Sequence, residues 1–227
     1  MADGQLPFAF PHTPALTAAD FLPHPGVRLA LDLLDAAQNW PQHRVLLWGG
    51  QGTGKTHLLH IWASENGASV VAGPRLQEPF WPIGPVSIDD ADLVPSDEAL
   101  LHVLNAAAEA SCKLLRTMSR APARTPARLP DLASRLRATL SVEIGRQDDD
   151  FRAALLGKLL SERQLAVAPA LQRWLLTRLP RTPAAIRAAV ARLDYAALAA
   201  QSGVSRPLAA AALSDLLLSD GVQEIVE

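Results

Sequence analysis

The apolar run Val45-Leu46-Leu47-Trp48 leads directly into Gly49-Gly50-Gln51-Gly52-Thr53-Gly54-Lys55-Thr56, and no other stretch constrains the fold as strongly. This is a complete G-x-x-x-x-G-K-S/T phosphate loop in its required setting, a strand before it and the helical run Thr56–Ser64 after it. Glycines let the backbone turn tightly and aim N–H groups at phosphate oxygens, and the helix adds the positive end of its dipole. Lys55 is placed to reach the β- and γ-phosphates, and the Thr56 hydroxyl to ligate Mg²⁺. Only three of the 21 basic residues are lysine, so a lysine here does not follow from composition. Gly49, Gly50, Gln51, Gly52, Thr53, Gly54, Lys55, Thr56 and the next residue, His57, are therefore assigned to binding a nucleoside di- or triphosphate.

A second phosphate motif lies 33 residues beyond Thr56, where Val86-Ser87-Ile88-Asp89-Asp90 reads as a short buried strand ending in two carboxylates. In a phosphate-loop protein the first acid, Asp89, holds Mg²⁺, and the second, Asp90, orients an attacking water. Alone such a string is weak, because acids at strand ends are usually just solvated; the complete loop upstream makes it specific. Asp90 is shorter than the glutamate common at this place, which argues for slow hydrolysis of the chain's own nucleotide.

Around these motifs, strand and helix signals alternate. Helices are expected over Val27–Ala37, Lys55–Ser64, Asp97–Ala110 and Asp131–Leu136. Strands are expected over Val45–Trp48, Ala68–Ala72, Val86–Asp89, Lys113–Met118 and Leu140–Ile144. Alternation of this kind predicts a parallel sheet covered by helices. From Asp148 only helical periods remain: Phe151–Glu162, Pro169–Leu179, Pro183–Gln201 and Pro207–Leu218. The fold class is thus an α/β phosphate-loop domain over residues 15–147 and a small all-α domain over 148–227. Pro7, Pro11 and Pro14 make residues 1–14 an extended tail.

At 227 residues and 49% hydrophobic content the chain can bury a real core. A single cysteine, Cys112, excludes a disulfide framework and fits a reducing compartment. No secretory signal is visible and no apolar run approaches 18 residues, so a cytoplasmic protein without a membrane span is expected. A net charge of −2 supplies no general attraction to nucleic acid, and direct DNA binding is expected to be weak or absent.

The combination resembles AAA+ proteins of the replication-initiator DnaA group, and within it the Hda-type regulators that act with the DNA sliding clamp. The matching stretches are Gly49–Leu59, Ser87–Ala91, Leu101–Glu109, the strand ending Leu114–Ser119, and Leu129–Leu136, whose LPDLASRL string is the most specific. The resemblance covers most of residues 20–200. It implies ADP or ATP with Mg²⁺ between an α/β base and a helical lid, with ADP the usual ligand of the regulators. It further implies that Arg135 is a finger reaching the ATP of a neighbouring subunit or of DnaA; by spacing alone it would be an ordinary surface arginine. At the end of the Leu114–Met118 strand either Thr117 or Ser119 offers the sensor hydroxyl, and Arg116 in that strand is unusual. The lid arginine of the group falls on Ala184 here, so either Arg187 or Arg181 replaces it or nothing does; Arg187 is the assigned candidate.

Gln5-Leu6-Pro7-Phe8-Ala9-Phe10 resembles the short peptide that docks on the clamp, with Gln5 making polar contacts and Leu6, Pro7, Phe8 and Phe10 filling an apolar groove. Its bland alternative is a tail packed on the chain's own surface. Between Lys113 and Arg137 seven basic residues face Asp131 alone, and apart from Arg135 this run reads as a solvated face. The expectation is a nucleotide-bound regulator, clamp-tethered and homo-oligomeric, that stimulates hydrolysis of DnaA-bound ATP and so inhibits replication re-initiation. A stand-alone phosphate-loop ATPase and a helicase-loader-like protein are the alternatives. Some 25 residues follow Gln201, too few for a separate helix-turn-helix DNA-reading domain.

Overall fold

Five short strands rich in Val, Leu and Ile carry the sheet: β1 (Arg44–Trp48), β2 (Ser69–Ala72), β3 (Val86–Asp89), β4 (Leu114–Met118) and β5 (Leu140–Glu143). In this computed structural model, which describes residues 16–217, they lie in the order β2-β3-β4-β1-β5, every pair parallel. Parallel strands need crossovers, and helices supply them on both faces. The crossover helices are α2 (Lys55–Asn66), α3 (Asp97–Glu109) and α4 (Pro130–Ala138), while α1 (Arg28–Asp35) precedes β1 and the chain passes from β2 to β3 without an α-helix. Successive strand residues point to opposite faces. Leu46, Ile88, Leu114 and Met118 therefore pack under α3 and α4 with Val103, Leu104, Leu132 and Leu136. Val45, Leu47 and Leu115 pack with Leu58, Leu59 and Trp62 of α2, and Trp62 stacks on Trp40 at 5.1 Å.

Local chemistry starts and stops these helices. Ser96 caps α3 by accepting the Ala99 N–H at 3.1 Å, and Asp97 and Glu98 follow in the first turn, where the helix dipole favours acids. The Asp97 carboxylate also accepts the backbone N–H groups of Arg128 and Leu129, fixing the chain where it enters α4. Helix α2 ends at Gly67, whose φ of 61° is the left-handed conformation of a helix stop.

One compact unit ends at Gln147 and a second begins at Asp148. The second is all-helical: α5 (Asp149–Glu162), α6 (Pro169–Arg178), α7 (Pro183–Ala200) and α8 (Arg206–Ala212). Asp148 caps α5 and Thr182 caps α7, which has Pro183 at its first position. Buried Leu155, Leu156, Leu160, Leu175, Ile186, Val190 and Leu193 form its interior. Arg152 is buried among them, donating from Nη2 to the Leu176 and Leu179 carbonyls and from Nη1 to Asp149.

The strands agree with the sequence-based spans to within a residue. The last helix does not: expected over Pro207–Leu218, it ends at Ala212, where the weak helix formers Ser214 and Asp215 follow and Asp215 pairs with Arg192. Gln5, Leu6, Pro7, Phe8 and Phe10, the clamp-peptide residues, lie outside the described residues. Among the described residues no helix is long and apolar enough to cross a membrane.

Candidate nucleotide-binding site

The phosphate loop occupies the end of β1, and its glycines are required by geometry. Gly49 has φ 156°, and a Cβ there would lie 2.5 Å from the Ile144 carbonyl oxygen. Gly52 and Gly54 have φ of 77° and 101°, the region that side chains disfavour. Thr53 is buried and its hydroxyl donates to the Gly50 carbonyl at 3.0 Å, bracing the turn. Gln51 is exposed. Lys55 is also buried, and its Nζ donates to the carbonyls of Gly49 at 2.9 Å and Gly50 at 2.8 Å. Burial draws its pKa down, opposed by the negative field of Asp90, Asp89 and Asp92.

Thr56 and Asp89, 33 residues apart, meet here: the Thr56 hydroxyl donates to Asp89 Oδ1 at 3.2 Å. Thr117, on the neighbouring strand, donates to the same oxygen at 2.5 Å, and its own oxygen accepts the Asp90 N–H at 2.8 Å. Ser119 is engaged elsewhere, with both its N–H and its hydroxyl on Asp92. Thr117 is thus the hydroxyl that reaches the acidic strand end. Asp90 holds a left-handed backbone, φ 51°. Burial and the neighbouring Asp89 and Asp92 raise its pKa above the ordinary carboxylate value, Lys55 pulling the other way.

One hydroxyl and one carboxylate oxygen in contact beside a lysine and a glycine loop fit Mg²⁺, a hard cation that keeps most of its waters and takes one or two protein oxygens with substrate phosphates. Thr56 and Asp89 would hold it, and among the described residues no group of three or more His, Cys, Asp or Glu side chains competes for a metal ion. A cleft of about 460 Å³ lined by His60, Val70, Val71, Ala72 and Arg75 reaches Asp89 from the β2 side.

Several residues at the loop carry no motif. His24 Nε2 lies 3.3 Å from the Thr53 carbonyl oxygen, and Gln147 Nε2 donates to the Gly52 carbonyl at 2.6 Å. The Phe21 ring edge comes to 3.6 Å from where a Cβ on Gly54 would sit. His57, assigned to the nucleotide from sequence, has its Nε2 2.8 Å from the Thr17 carbonyl oxygen and its ring against Phe21. That ring secures the segment before α1. Gly73 is a further one: a Cβ there would lie 2.1 Å from the Asp90 carbonyl oxygen, so only glycine lets this turn press against the acidic pair.

In the helical unit Arg181 is spoken for by Asp149, with its Nη2 2.5 Å from the carboxylate. Arg187 is exposed on α7, and no hydrogen bond or ion pair joins it to another described residue. Ala184 is exposed one turn earlier.

Arg135 lies in the last turn of α4, half-exposed, with its Nε 3.3 Å from Asp131 Oδ2 one turn back. Arg116 and Arg44 lie on the same face of the sheet as α4, both buried. Arg44 reaches Gln42, and Arg116 donates from Nη2 to the Thr139 hydroxyl at 2.9 Å. Repulsion from Arg135, after burial, lowers the pKa of Arg44; burial and then Arg44 lower that of Arg116.

No family model matches the chain. Among solved structures it is similar to domain III of the Thermotoga maritima replication initiation protein DnaA, with TM-score 0.78 and 18% identity over 92% of this chain and 99% of that one. It is also similar to AMPPCP-bound DnaA from Aquifex aeolicus, with TM-score 0.62 and 18% identity over 78% of this chain and 64% of that one. The Thermotoga maritima RuvB Holliday junction branch migration motor gives TM-score 0.67 and 19% identity over 89% and 72%. The chain has the DnaA-like AAA+ fold, a parallel five-stranded α/β unit followed by a helical one.

Proposed function

We propose that this protein is a nucleotide-bound regulator that holds ADP or ATP with Mg²⁺ in its own phosphate loop and presents Arg135 to the ATP of a DnaA-type partner. The observation that carries the reading is a division of labour within one unit. Lys55, Thr56, Asp89 and Thr117 converge on one phosphate site, while Arg135 is held on a different helix by nothing stronger than a half-exposed ion pair. A solvent-screened pair of this kind contributes about 0–1 kcal/mol and yields readily to a better anion. A guanidinium against a transferring γ-phosphoryl group neutralises the charge that spreads over its oxygens, worth about 10³–10⁵ in rate. AMPPCP in a DnaA of the same fold supports the nucleotide assignment. Thr56 and Asp89 would hold Mg²⁺, which would offset the phosphate charge there.

Gln5, Leu6, Pro7, Phe8 and Phe10 then tether the protein to the sliding clamp, which brings Arg135 to the partner on replicated DNA and limits re-initiation. Like subunits of AAA+ proteins generally, copies of this chain would associate through the same finger-to-nucleotide geometry. The decisive experiment is turnover of ATP pre-bound to DnaA with clamp-loaded DNA: Arg135→Ala should abolish stimulation, and full stimulation by that variant overturns the reading. A clamp pull-down with and without residues 1–10 tests the tether. The stand-alone ATPase reading draws on Asp90, whose carboxyl lies beside Lys55 and Asp89. It requires single-protein turnover near one per second that disappears in Asp89→Ala.

A further inference from the structure

Arg116 is the one charged side chain in the middle of β4, and it is wholly buried with no carboxylate bonded to it. Burying an uncompensated charge costs several kcal/mol, so something specific must answer it. What answers it is the end of α4. The Thr139 hydroxyl accepts from Arg116 Nη2 at 2.9 Å and donates to the Arg135 carbonyl at 2.8 Å. The last carbonyls of a helix carry the negative end of its dipole, and a chain of hydrogen bonds polarises along its length. Among the described residues Arg116 Nε and Nη1 have no partner, and Thr139 is its single side-chain attachment.

The residue so gripped is Arg135. Its backbone carbonyl takes the Thr139 hydroxyl, while its side chain has only Asp131. Arg44 stands close enough to repel it. Among the described residues, Asp131 is the one carboxylate bonded to any of these three guanidiniums. The backbone of Arg135 is therefore pinned and its guanidinium biased outward. We propose that Arg116, through Thr139, is a positioning residue for the finger, fixing the last turn of α4 so that Arg135 meets the partner's phosphate in register. This rests on the finger assignment above. An error of about 1 Å in placing a catalytic group can cost about 10²-fold, and α4 has one turn in which to make that error.

The test uses the full chain and DnaA-type partner loaded with ATP, following single-turnover hydrolysis against regulator concentration. Thr139→Val should lower the plateau rate by about tenfold to about 10²-fold, with half-saturation and the regulator's own ADP affinity within about twofold of wild type. Thr139→Ser, which keeps the hydroxyl, should restore the plateau. Arg116→Met should match Thr139→Val, and the double variant should lose no more than either single one. Should Arg116→Met fail to fold, the valine–serine pair still decides. A wild-type plateau in Thr139→Val, with Arg135→Ala inactive, overturns the positioning role alone. A wild-type plateau in Arg135→Ala removes the finger assignment and this inference with it.

Discussion

Two regions of the same small sheet carry opposite charge patterns: an acidic edge at the carboxyl ends of the strands and a basic one on the face under α4. At the carboxyl ends of the strands Asp89, Asp90 and Asp92 set a negative field that acts on a single lysine, Lys55. Beside α4 lie Arg44, Arg116 and Arg135, and among the described residues only Arg135 is bonded to a carboxylate, Asp131. At the first edge the groups bond to each other: Thr56, Thr117 and the Asp90 N–H are all engaged in one network around Asp89. At the second, the guanidiniums repel and each has a separate partner, Gln42, Thr139 and Asp131 in turn. Under the function proposed above, the acidic edge would receive a cation and a phosphate together, and the basic one would offer a cation to a phosphate held elsewhere.

The comparison breaks most visibly if the two edges prove inseparable. Arg135→Ala should cost about 10³-fold or more in stimulated partner hydrolysis, read by stopped-time nucleotide analysis, yet leave this protein's own ADP affinity within about twofold. Lys55→Ala should do the reverse at the first edge. It removes the charge-assisted bond that the lysine would offer a phosphate oxygen, about 1.5–3 kcal/mol, so ADP affinity measured by calorimetry should fall by about tenfold to about 10²-fold. Thr117→Val leaves Asp89 and the Asp90 N–H each short of a partner, which should lower Mg²⁺-dependent nucleotide affinity by about tenfold with no change at the basic edge.

The smallest effect concerns Asp90. Its carboxyl in the folded protein titrates above 3.8, its ordinary value, because of burial and the acids beside it. The native state then holds that proton to higher pH than the unfolded chain. Its contribution to stability is present below the ordinary value and is lost as pH rises through the raised one. Asp90→Asn should therefore melt slightly higher than wild type at neutral pH, and the difference should vanish below about pH 4. Differential scanning calorimetry of the nucleotide-free protein at both pH values measures it.

Much of the first edge was legible in the amino-acid order, because its chemistry is local. A strand, a glycine turn and a helix follow each other within 20 residues, and the apolar runs of a sheet buried on both faces mark β1, β3 and β4. Thr117 was one of two candidates, since the strand's alternation could not say which hydroxyl would meet Asp89. Arg116 stood out only as an oddity; its meaning depends on Thr139, 23 residues away. His24, Gln147 and Gly73 were missed altogether. Their partners lie 29 and 95 residues off for the first two, and a glycine's close approach to Asp90 leaves no signature in composition. The contacts of His57 with Thr17 and Phe21 were likewise not legible, since Thr17 lies 40 residues away.

The ammonium of Lys55 already has two acceptors in the turn that holds it. An ammonium has three N–H donors, so one remains to meet an incoming phosphate oxygen while the other two keep the lysine fixed to the loop that must receive it.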